Sequence, residues 1–97
     1  MAIEWKHGIV DLSNDITTIE AVACLVKGVY INTDLSAHPC PIEDGTDQAF
    51  VIPAGATAGS AYAFGPAIYD TSLIVDPDNA ATGNITVVYV ILGEEHG

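Results

Sequence analysis

Short segments rich in Val, Ile, Thr and Tyr, each cut off by Gly, Pro or an Asp/Asn turn, recur along the whole chain. That pattern constrains the fold more than any other feature. β-Branched and aromatic residues favour strands. Short strands between regularly spaced turn signals point to a sandwich or barrel. The clearest case is Asn84 to Leu92. Ile85, Val87, Tyr89 and Ile91 share one face, and Asn84, Thr86, Val88, Val90 and Leu92 share the other. The second face begins polar and ends apolar, so the strand is expected to become more covered as it proceeds.

Further strands are expected at His7 to Leu12, Gln48 to Pro53, Tyr62 to Phe64 and Ala67 to Val75, the last as one strand or a pair. Pro41 to Glu43 reads as a short edge strand. Asp44-Gly45 marks a turn within Glu43 to Asp47, and Asp76 to Asn79 marks another. Thr17 followed three residues later by Glu20 is compatible with a helix start. Against it, Ile16 to Thr33 is rich in β-branched residues, and Gly28 would cost a helix about 1 kcal/mol relative to Ala. Ala21 to Thr33 is therefore read as one long strand, bent or bulged at Gly28. Leu25, Val29 and Ile31 fall on one of its faces, with Val22, Val26 and Tyr30 on the other. A strand apolar on both faces is central in a layered structure or lies at a subunit interface. The expectation is a single all-β domain over residues 1–97, a β-sandwich or jelly-roll-like barrel of seven to eight short strands. An N-terminal arm (1–6) and a frayed tail (93–97) flank it.

Charge narrows the function. Lys6 and Lys27 stand against thirteen acidic residues, for a formal net charge of -11, yet 49% of the residues are hydrophobic. Acidic disordered tails are poor in apolar residues, so this is a folded domain with an acidic surface. Phosphate backbones are held by Lys and Arg, so nucleic acid is not an expected partner, and anionic membranes would repel the chain. The N-terminus lacks a basic start followed by an apolar run, and no apolar stretch is long enough to span a bilayer as a helix. Synthesis in a cytoplasm is the expectation, and there Cys24 and Cys40 are expected as free thiols.

No pattern announces chemistry. His7, His38 and His96 are not spaced for metal binding, and His38 beside Cys40 is no evidence of a catalytic pair, which distant segments normally assemble. Asp76, Asp78 and Asn79 resemble the opening of a calcium loop, but the rest of the pattern is missing. Glu43, Asp44 and Asp47 could gather around a cation, although a solvated turn is the stronger reading. Asn84-Ile85-Thr86 matches a glycosylation acceptor, a coincidence without a secretory signal. The serines lack an elbow motif, and there is neither a phosphate loop nor an arginine. The expectation is a non-enzymatic protein with no cofactor and no metal.

Four phrases carry a resemblance: Gly28-Val29-Tyr30-Ile31-Asn32-Thr33, Phe50-Val51-Ile52-Pro53-Ala54-Gly55, Thr71-Ser72-Leu73-Ile74-Val75-Asp76, and Ala81 to Val87. Across residues 21 to 92 the chain resembles small all-β structural proteins of tailed-phage virions, of the capsid decoration (cement) or head-fibre type. The resemblance implies a virion component on the capsid surface. Its partners would be the major capsid protein or other virion subunits, and it would form a homo-oligomer, with a trimer favoured. No binding motif carries over. From the residues themselves, Ile3 and Trp5 are candidates for a docking arm, with capping of the sandwich an equal role for Trp5. Val29 and Ile31 are candidates for an interface. The alternative is a small ligand- or carbohydrate-binding module of a fibre or tail, using Trp5, Tyr62, Phe64 and Tyr69 where these are not core.

Overall fold

The computed structural model describes residues 5–14, 16–78 and 80–92. Nine strands run through them: β1 (Lys6–Asp11), β2 (Thr17–Glu20), β3 (Cys24–Thr33), β4 (Cys40–Asp44), β5 (Asp47–Ile52), β6 (Ala61–Tyr62), β7 (Ala67–Tyr69), β8 (Leu73–Val75) and β9 (Asn84–Ile91). They form two antiparallel sheets. One has the order β1-β9-β3-β6, with β7 pairing further along β3; the other has the order β2-β8-β4-β5. The fold is an all-β sandwich of two separate sheets, with one or two more strands than the sequence suggests.

Alternation along the strands builds the core between the sheets. From the five-stranded sheet, Val10, Val26, Val29, Ile31, Ile85, Val87 and Tyr89 point inward; from the four-stranded sheet, Cys40, Ile42, Ile52, Leu73 and Val75 meet them. An aromatic group closes one end, where Phe50 and Phe64 stack at 4.4 Å between ring centroids and Tyr62 and Tyr69 pack at their edges. The Tyr89 hydroxyl donates to Glu20 Oε2 at 2.7 Å and ties β9 to β2 across the sandwich.

The two apolar faces expected of β3 have a local cause. Its pairing with β9 slips between Val26 and Gly28, so the inward phase moves from even to odd positions. Cys24 and Val26 point inward before the bulge, and Val29 and Ile31 after it. Leu25, Lys27 and Tyr30 therefore share the outer side, and Val22 precedes the strand. The bulge depends on Gly28, because a Cβ there would lie 2.5 Å from the Tyr62 carbonyl oxygen.

Two other local expectations change. Thr17 to Glu20 is a strand, not a helix start, because its β-branched residues pair with β8. The segment around Pro41 is an interior strand, β4, flanked by β8 and β5. Its ladder with β8 holds only Ile42 and Glu43, so Pro41 sits beyond it, where its carbonyl accepts from Asp76 N at 3.0 Å. The chain crosses from β7 in one sheet to β8 in the other through a turn that Asp44 holds. Its carboxylate accepts from the backbone N–H groups of Asp70 (2.9 Å), Thr71 (2.8 Å) and Ser72 (3.4 Å). The Ser72 hydroxyl in turn accepts from Gly45 N at 3.0 Å.

Candidate interaction surface

The outer side of the five-stranded sheet is an apolar surface built by register. One row across the strands is Ile9, Thr86, Tyr30 and Ala61. The next holds His7 and Val88 beside the Lys27–Gly28 bulge. A third holds Val90, Leu25 and Ile68. Ile9, Ile68 and Tyr30 are 70%, 61% and 48% exposed, while Val88 and Val90 in the middle are covered by their neighbours. The strand β9 thus does become more covered along its outer side, as its sequence suggests. Trp5 is half-buried, with the Lys27 ammonium 5.5 Å from its ring centroid, within cation–π range. A depression of about 50 Å³ opens between Lys27, Tyr30, Ala61, Ala63 and Val88.

Charge divides the sandwich unevenly. The strands of the five-stranded sheet carry both lysines, Lys6 and Lys27, and one acid, Asp11. Those of the four-stranded sheet carry Glu20, Glu43, Asp44 and Asp47 and no lysine. Asp11 is itself occupied, accepting from Ser13 N at 3.0 Å and from the Ser13 hydroxyl at 2.6 Å. Those two bonds hold its carboxyl below the usual aspartate range. Beside it, Asn32 Nδ2 donates to Asn84 Oδ1 (2.6 Å) and Thr86 Oγ1 (2.8 Å), which gives the glycosylation-like triplet a structural role.

The interface candidates from sequence separate. Val29 and Ile31 are 1% and 2% exposed, so they cannot face a partner; the bulge at Gly28 turns them into the core. Trp5 lies beside the apolar surface, and Ile3 lies outside the described residues, as do most of the expected arm and the whole 93–97 tail. Lys6, placed in the arm by sequence, is already in β1 opposite Tyr89. Of the aromatics proposed for ligand stacking, Tyr69 is buried and Tyr62 and Phe64 pack against the core. Sequence reasoning missed Ile9, Tyr30 and Ile68 as a set. Their shared surface arises from pairing between β1, β9, β3 and β7, which are distant in the chain.

The remaining polar groups serve the fold. Glu43 and Asp44 do not gather with Asp47 around a cation, since Asp44 holds the β7–β8 turn. Glu43 is 8% exposed and shares a hydrogen bond with Asp76; burial first, then the Asp76 charge, pushes its pKa above the ordinary glutamate value. Asp78 accepts from Ala80 N at 3.0 Å and lies 3.9 Å from His38 Nδ1, while Asn79 is outside the described residues. Among the described residues, no group of three or more His, Cys, Asp or Glu is placed to hold a metal ion. Cys24 and Cys40 are buried free thiols, as expected from sequence. Burial pushes them up to about 11 and about 12, so neither is an activated nucleophile.

No family model matches the chain, and no curated protein or solved structure matches it either.

Proposed function

We propose that this chain is a non-enzymatic structural protein of a phage particle, a capsid decoration (cement) protein that docks on the assembled shell through the outer side of its five-stranded sheet. One observation carries the docking part: in a chain of net charge -11, that side is apolar, exposed at Ile9, Tyr30 and Ile68, and holds a single acid, already engaged by Ser13. Covering Ile9 and Ile68 would each contribute about 1–2 kcal/mol, given their present exposure. Binding only the assembled shell stabilises that shell by mass action. The virion part rests on the resemblance, whose phrases lie in and beside β3, β5, β8 and β9. Trp5 immediately precedes β1, beside Lys27, and would extend the contact.

A glycan-binding role is less well supported, because three of the four aromatics it would use are packed inward. Mass spectrometry of gradient-purified particles from the strain encoding the chain tests the proposal. The chain should be present at a fixed stoichiometric ratio to the major capsid protein. Its absence from particles, with abundant chain in the soluble lysate, would overturn the assignment.

A further inference from the structure

We infer that in the free protein the acid-poor side of the five-stranded sheet is covered by a second copy of the same chain, packed face to face about a two-fold axis that crosses the strands at the Ile9–Thr86–Tyr30 row. Such pairing needs no shell and holds whatever else docks on this surface.

Electrostatics selects the face. Two copies of a -11 chain repel each other, so they can approach only where carboxylates are sparse. Contact through the four-stranded sheet would bring Glu43 and the exposed Asp47, with no lysine between them, against the same pair on the other copy. The five-stranded sheet offers Lys27, His7 and a band of apolar side chains instead.

Register selects the axis. On β1, His7 and Asp11 lie on the same side as Ile9, two residues before and two after it. Rotation about an axis through the Ile9 row sets His7 of each copy opposite Asp11 of the other, two unlike pairings from one operation. Lys27, in the Val88 row, comes over the Asn84 end of the partner's face. There Asn32 uses its Nδ2 on Asn84 and Thr86 and keeps its carbonyl oxygen for an incoming ammonium. The exposed Ile9 and Tyr30 then lie on the axis row and meet their own counterparts.

Size sets the strength. Four strands about 4.8 Å apart and the three rows that this axis superposes, those of Val88, Thr86 and Asn84, about 7 Å apart, span roughly 20 × 20 Å, or about 400 Å² of flat face per copy, with the Ile68 row left outside the contact. That is about 800 Å² in total, below the roughly 1,000 Å² of a stable specific interface, so pairing is weak and transient, with a dissociation constant of about 10 μM to 1 mM. A weak pair leaves the face recoverable by a stronger partner.

Sedimentation velocity between about 1 and 500 μM protein, at about 20 and 500 mM NaCl, tests this directly. The expected result is a monomer–dimer equilibrium that the higher salt tightens at least about threefold, by screening the net repulsion. Ile9→Glu places two carboxylates at the axis and should weaken pairing about tenfold or more, with its thermal melt unchanged. Val51→Glu adds the same charge at a 41% exposed position on the other sheet and should leave pairing unaltered. A monomer at every concentration and salt, a trimer, or equal weakening by Val51→Glu would each overturn the two-fold pairing. A monomeric chain found in particles would sink the pairing and leave shell docking standing, and a dimeric chain absent from particles would do the reverse.

Discussion

Replacing Tyr69 by Phe should make this protein more stable. Tyr69 ends β7 opposite Cys24 of β3, and it is 1% exposed. Its ring packs 6.5 Å from Phe64, and its hydroxyl has no hydrogen-bond partner among the described residues. Burial, then the nearby Asp44 charge, pushes the phenol up to about 12, so it is neutral near pH 7. A buried hydroxyl without a partner costs about 1–3 kcal/mol relative to leaving it in water. Tyr69→Phe removes that cost and keeps the ring and its apolar contacts. The void left by one oxygen, about 12 Å³, gives back about 0.3 kcal/mol at ~24 cal/mol per Å³. The net gain is about 0.7–2.7 kcal/mol. For a domain of this size, that raises the melting temperature by roughly 3–20 °C. Thermal melts and urea titrations of both proteins would read the gain as a higher midpoint with an unchanged slope. A loss of stability would refute the reasoning, because it would mean that the hydroxyl has a partner, such as a buried water.

Asp44→Ala removes the acceptor for three backbone donors in the β7–β8 turn and should cost about 2–3 kcal/mol in a urea titration. Burial pushes the Asp44 carboxyl up, but the three amide donors outweigh it and hold its pKa below 3.8. Its contribution is therefore present above the unfolded value and lost as pH falls through the lower native value, and the wild-type but not the variant should show that acid loss. Glu43 has the opposite sign. Its raised native pKa means that its stability is full below 4.5 and lost as pH rises through the native value. Glu43→Gln should accordingly raise stability at pH 7 and flatten the decline above 4.5, measured as unfolding free energy against pH. Gly28→Ala should cost about 2 kcal/mol or more, since its Cβ meets the Tyr62 carbonyl, and faster amide exchange at Tyr62 would report the loosened β6 pairing.

The sandwich was legible in the sequence where local pattern and burial agree. Asn84 to Leu92 alternates cleanly, and β9 follows it almost residue for residue. The Asp-Gly turn is likewise visible as turn chemistry, whereas Ala67 to Val75 reads as one strand or a pair and the structure divides it into β7 and β8. What was not legible depends on distant partners. Gly28 signals a bulge, but only the passage of the Tyr62 backbone shows that Val29 and Ile31 turn inward while Tyr30 turns out. Thr17 and Glu20 have capping spacing, and pairing with β8 overrides it. The candidate interaction surface was invisible for the same reason. Both lysines can be counted in the sequence, but only the strand order puts β1 and β3 in the sheet that carries one acid.

The claim that this surface is the binding face is tested most directly by co-sedimentation with purified phage heads, comparing the wild-type chain with an Ile9→Glu/Ile68→Glu double variant of unchanged melting temperature. The account expects saturable binding of the wild type to assembled heads and at least about a tenfold loss for the variant, because both side chains would be buried on docking. Equal binding of the two proteins would contradict it and move the contact to another part of the molecule.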